Sequence, residues 1–105
     1  MASSTGAAAS LIALTEKGRL YGIRVYNSNL AARYVQLYDA ATLPADGAGT
    51  EPLVSKSIAA TSYGEIPFPE GRRMTAGIVV CNSTTGHQKT IGAADMLFDV
   101  TFALT

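Results

Sequence analysis

The sequence predicts an all-β protein: an antiparallel β-sandwich, jelly-roll or immunoglobulin-like, of about six to eight short strands, preceded by a flexible N-terminal arm. Three observations predict it. Apolar and polar residues alternate over several short segments, the period of a strand whose successive side chains point to opposite faces. Glycine, proline, asparagine and serine fall between those segments as turn signals. No long stretch repeats its apolar residues at helical spacing.

In order, Met1 to Ser10 is rich in Ala, Ser, Thr and Gly and reads as a floppy start or an arm that orders on a neighbour. Leu11-Ile12-Ala13-Leu14 can form a first short strand, so residues 1–14 are the arm and 15–105 the sandwich domain. Arg19 to Tyr26 and Arg33 to Asp39 alternate cleanly and are separated by the polar turn Asn27 to Ala32. We read them as a hairpin with Tyr21, Ile23, Val25, Val35 and Leu37 on its inner face. Its outer face then carries Arg24, Tyr26, Tyr34, Gln36 and Tyr38, the composition of a contact surface. On that reading Tyr38→Glu spares folding and abolishes association.

Ala40 to Pro52, with two prolines and two glycines, is a long loop. Val54 to Ala59 alternates as a strand. Tyr63 to Pro69 is extended, and its prolines place it at a sheet edge or exit. Glu70 to Arg73 reads as a charged turn. Gly77 to Asn82 is continuously apolar up to its end, as expected of a strand covered on both faces. Ser83 to Thr90 is a polar loop. Last, Met96, Phe98, Val100, Phe102 and Leu104 alternate with Leu97, Asp99, Thr101 and Ala103, which predicts a strand central to the core.

With 105 residues and 48% hydrophobic content, the chain is one domain able to bury its own core. Eight basic and eight acidic residues balance to zero net charge, which speaks against a broad nucleic-acid surface. The apolar run Ala7 to Leu14 is too short to span a bilayer, and one cysteine allows no intrachain disulfide. We expect a soluble protein made in a cytoplasm, with neither nucleic acid nor membrane as partner.

The sequence offers little for catalysis. His87, the single histidine, lies in the polar loop Thr84 to Lys89, where an exposed turn residue is expected rather than a member of a Ser-His-Asp triad. Cys81 sits in an apolar strand and has no basic neighbour in sequence to activate it. No Cys or His pair has zinc spacing. Asp46 and Glu51 share a glycine-bearing loop, but their spacing matches no calcium loop. Gly71-Arg72-Arg73 could grip an anion, although arginines at a turn are usually solvated. We assign no catalytic, cofactor or metal residue.

The runs Tyr21 to Asn27, Tyr34 to Ala40 and Gly77 to Cys81 resemble small all-β structural proteins of tailed bacteriophages, namely capsid decoration (cement) proteins and small tail or fibre components. The resemblance spans Leu20 to Phe102 and is one of texture. It implies a virion component, present in many symmetric copies and without a catalytic site. The expectation is therefore a decoration protein on the capsid surface, made in the host cytoplasm. Its partners would be copies of itself, as a trimer or another small homo-oligomer, and the major capsid protein or other virion subunits. Arg24, Tyr26, Tyr34, Gln36 and Tyr38 are the expected contacts. The alternatives are a tail, neck or fibre component, and a carbohydrate-binding β-sandwich whose exposed tyrosines stack on sugar rings.

Overall fold

The computed structural model of the chain describes residues 2–3, 6–47, 51–86 and 88–104. Among these residues there are eight strands and no helix: β1 (Ala2–Ser3), β2 (Ser10–Leu14), β3 (Gly18–Asn27), β4 (Arg33–Tyr38), β5 (Val54–Ile58), β6 (Ser62–Met74), β7 (Ile78–Ser83) and β8 (Met96–Leu104). They form two antiparallel sheets of four strands, ordered β1-β8-β3-β6 and β2-β7-β4-β5, packed face to face as a sandwich. His87 and residues 48–50 lie outside the described residues.

The alternating segments supply the core. Ile23 and Val25 of β3 and Met96, Phe98 and Val100 of β8 face Val35 and Leu37 of β4 and Ile78 and Val80 of β7. Each such side chain, once fully buried, contributes roughly 1.5–3 kcal/mol. Leu14 of β2 is buried in the same core, so the last residues of the expected arm belong to the second sheet. All six residues of β7 are buried, the apolar run Ile78 to Cys81 together with the polar Asn82 and Ser83.

Two expectations about β3 and β4 need correction. They are not a hairpin: β3 pairs with β6 and β8 in one sheet, β4 with β5 and β7 in the other. Their apolar residues meet across the sandwich rather than side by side. Tyr21 is not inside either; it is 40% exposed. Leu20 pairs with Phe102 and Gly22 with Thr101, which leaves Tyr21 as the extra residue of a bulge. A bulge shifts the side-chain phase by one, so Leu20 turns inward before it and Ile23 after it.

β6 is longer than predicted. It runs through the expected charged turn to Met74, which is fully buried. Between Pro67, opposite Gly22, and Arg72, opposite Leu20, four residues answer the single Tyr21 of β3. Gly71 in this excursion has φ +79°, a left-handed conformation that favours glycine. β6 is the outermost strand of its sheet, and Pro67 and Pro69 there supply no N–H.

Polar side chains fasten the connections. Buried Asn27 donates to the carbonyls of Ala31 (3.0 Å), Ile58 (3.2 Å) and Ala59 (3.2 Å). Asn82 donates to Asp95 Oδ1 (2.8 Å), and Asn29 donates to Asp95 Oδ2, which ties the β3–β4 connection to the turn before β8. Asp39 Oδ1 and Oδ2 accept the N–H of Thr75, and Oδ1 accepts those of Ala76 (2.8 Å) and Gly77 (3.3 Å). Burial pushes the Asp39 carboxyl pKa up, but these bonds and that from the Thr75 hydroxyl outweigh it and hold the pKa below its ordinary value.

Candidate functional site

The two sheets are finished differently on their outer faces. On the second sheet, outward-pointing Tyr34, Gln36 and Tyr38 of β4 are covered by the chain itself. Gly86 of the β7–β8 connection lies against the Tyr34 ring. Gln36 Nε2 donates to the carbonyls of Thr85 (2.7 Å) and Gln88 (3.2 Å) in that connection and to Ser55 Oγ (3.4 Å) on β5. Gln36 Oε1 accepts the Tyr38 hydroxyl at 2.8 Å. Tyr38 packs with Val79, Cys81 and Ala40 in a second, smaller core and is 5% exposed.

The lid over this layer is clamped. Lys89, buried among polar loop residues, pairs through Nζ with Asp46 of the β4–β5 loop. Gly47 N–H donates to the Lys89 carbonyl (3.0 Å), and Ile91 N–H donates to Asp46 Oδ2 (3.2 Å). The hydrogen bond from Lys89, with that from Ile91, holds the Asp46 carboxyl pKa below its ordinary value. Asp46 is thus spent on a loop clamp. Among the described residues no three His, Cys, Asp or Glu side chains gather as metal ligands would. Cys81 lies beneath the lid, and burial pushes its thiol pKa up to about 12, so it stays protonated at neutral pH.

The first sheet is open. Its outward residues fall into cross-strand rows, because directly opposed residues share a face. One row is Tyr63–Tyr26–Leu97, an aromatic and apolar ledge. Tyr63 is 72% exposed, and its ring centroid lies 4.7 Å from that of Tyr26, with the planes tilted by 53°. The next row is Glu65–Arg24–Asp99–Ser3 and crosses all four strands. Arg24 Nε is 3.8 Å from Glu65 Oε1, an exposed pair of little energetic weight. The Ser3 hydroxyl donates to Asp99. Then comes Pro67–Gly22–Thr101, where Gly22 and its small neighbour leave a shallow dip beside Tyr21. The last outward row is Arg73–Arg19–Ala103.

The expected contact residues are therefore split between opposite sides of the molecule. Arg24 and Tyr26 lie together on the open face of the first sheet. Tyr34 is half-buried, and Gln36 and Tyr38 are sealed under the loops of the second, where Tyr38→Glu would bury a charge rather than trim a surface. Sequence reading missed Tyr63 as the partner of Tyr26. The alternation in Tyr63-Gly64-Glu65-Ile66-Pro67 signals an outward Tyr63, but only the long-range β3–β6 register brings it to Tyr26. Comparison with models of protein families, with curated proteins and with solved structures found no match.

Proposed function

We propose that the chain is a non-enzymatic structural subunit of a bacteriophage virion, a capsid decoration protein that binds the assembled head as a homo-oligomer. The observation that carries this reading is the unequal finish of the two sheet faces. One is closed by the protein's own loops; the other presents Tyr63, Tyr26 and Leu97 in a row, with Tyr63 72% exposed. Tyrosine is enriched where protein surfaces meet, since a large rigid ring is ordered at small entropic cost. The likeness in texture to phage structural proteins supports the same reading. Repeated copies would turn a modest contact into high avidity on a symmetric shell.

The test is to add purified protein to heads that lack it. Binding to the assembled shell raises the shell's melting temperature by mass action, with saturation at many copies per head. Tyr26→Ser with Tyr63→Ser should fold normally and lose occupancy. A shell that neither takes up the wild-type protein nor changes its melting overturns the assignment. Saturation at only a few copies, confined to the tail, would make it a tail, neck or fibre part instead.

A further inference from the structure

Arg19 and Arg73 form a local conflict that the packing of the fold does not explain. They are directly opposed on β3 and β6. Both point to the outer face, since Leu20 and Met74 beside them are buried. Opposed side chains stand ~4.5–5.5 Å apart at Cβ, where like charges destabilise a sheet. Neither guanidinium has a carboxylate within ion-pair distance among the described residues. Arg19 donates one hydrogen bond, from Nη1 to the Gly71 carbonyl at 3.4 Å, and Arg73 donates none among the described residues. Where a chain breaks a local rule with no gain in stability, function is the usual reason.

The surroundings keep this pair open and partly fixed. The excursion of β6 opposite Tyr21 ends at Gly71, with φ +79°. Such irregularities in a strand re-aim side chains. A Cβ at Gly71 would stand 2.9 Å from the Tyr21 ring and 3.2 Å from Arg19 Cδ, so the excursion lies flush against both side chains. That contact restrains the Arg19 stem, and the Gly71 carbonyl draws its guanidinium toward β6, the strand that carries Arg73. The bond uses Nη1 and leaves the Nε–Nη2 edge free to donate. On its other side Arg19 is opposed by Ala103, which is exposed and too small to cover it.

We propose that Arg19 and Arg73 bind a tetrahedral oxyanion, a phosphate or sulfate group, between their guanidinium forks. A fork takes two oxygens in parallel hydrogen bonds. Two forks that converge from neighbouring strands call for more than the two oxygens of a carboxylate, and a phosphate or sulfate ester offers three. The negative charge between them turns the Arg19–Arg73 repulsion into attraction to a shared partner. The site lies at the opposite end of the open face from the Tyr63–Tyr26–Leu97 ledge, so it does not depend on the decoration reading.

The experiment titrates the full-length protein with inorganic phosphate, glycerol 3-phosphate, sulfate and acetate. Calorimetry and the NMR signals of the arginine side chains follow binding, at constant low ionic strength made up with chloride. Phosphate and sulfate should bind saturably and move the Nε–H signals of Arg19 and Arg73. Acetate, which fills only one fork, should bind more than ~10-fold more weakly. Arg19→Gln and Arg73→Gln, with circular dichroism as the folding check, should each weaken phosphate binding by more than ~10-fold, the loss of one charge-assisted pair of bonds. Without the anion each variant should melt no lower than wild type, because the opposed like charge is gone. Lys56→Gln, at an exposed position on the other sheet, should bind phosphate as wild type does. Tighter binding of glycerol 3-phosphate than of inorganic phosphate makes the natural ligand an ester, and the reverse order makes it the free ion. If a variant does not fold, the wild-type side-chain signals still locate the site. No saturable binding of phosphate or sulfate beyond that of chloride, acetate binding as tight as phosphate, unmoved Arg19 and Arg73 signals, or folded variants that bind like wild type overturn the inference. None of these results touches the decoration assignment, which stands or falls on shell occupancy.

Discussion

Gln36→Leu tests whether the layer outside the second sheet is a true interior. The side chains are similar in volume, so the substitution removes hydrogen bonds and leaves little cavity. Gln36 Nε2 donates to Thr85 O at 2.7 Å and Gln88 O at 3.2 Å, and Oε1 accepts Tyr38 Oη at 2.8 Å. The two loop carbonyls can turn to water after a small shift, so each loses only the net ~0.5–1.5 kcal/mol of an ordinary bond. The Tyr38 hydroxyl, on a side chain 5% exposed, is left unpaired at a cost of ~1–3 kcal/mol. Some of this is recovered by burying leucine, for a net loss of ~2–4 kcal/mol. For a chain of this length that lowers Tm by roughly 10 °C or more. Tyr38→Phe removes the stranded hydroxyl, so the double variant should be more stable than the sum of the two singles implies, by ~1–2 kcal/mol. Urea unfolding followed by circular dichroism measures all four proteins. If Gln36→Leu is neutral, or the two substitutions add, the loop lid does not exclude water and the closed face is open in solution.

Other outcomes follow from the same geometry. Phe98→Ala, at a side chain 2% exposed in the main core, should cost ~3–5 kcal/mol in the same assay, and a Tm change of a couple of degrees would contradict its placement. Gly77→Ala should be more damaging than its single methyl suggests. The new Cβ would stand 2.4 Å from the Leu14 carbonyl oxygen and 2.5 Å from that of Ala40, both backbone, so a loss of at least ~2 kcal/mol is expected and a neutral result would contradict the packing. Because the hydrogen bonds at Asp39 depress its pKa in the folded state, its contribution is full above the unfolded value of about 3.9. That contribution is lost as pH falls through the lower, folded value. Asp39→Asn should therefore destabilise at neutral pH and flatten the acid limb of the stability curve, and parallel curves would refute the role. Lys89→Met should loosen the lid and raise the reactivity of Cys81 toward a thiol reagent; an unchanged rate would show that Asp46 and Lys89 do not hold it shut.

Much of the fold was legible because its core strands obey one local rule. Ile23 and Val25, Val35 and Leu37, and Met96, Phe98 and Val100 alternate, and all of them are inside. The failures have distinct causes. Tyr21 reads as inward from alternation alone because a bulge is set by the register against β8, although the isolated Gly22 beside it is a local signal. β3 and β4 looked like a hairpin because pairing across a sandwich is not a local property. Gln36 and Tyr38 alternate with Val35 and Leu37 and so read as a surface. They are interior only because residues of two loops, Asp46 and Lys89 among them, fold back over that sheet, and nothing in Ser83 to Thr90 advertises a buried lysine. The open face was half legible: Arg24 and Tyr26 were found on β3, while their neighbours Tyr63, Glu65 and Asp99 come from strands distant in sequence.

The prolines of β6 bear on how such a protein behaves when crowded. A strand margin with all its amides free is a template on which further chains can crystallise into ribbons. Pro67 and Pro69 blunt that margin on one flank of the sheet. A margin blunted in this way favours finite, closed groupings over runaway fibres.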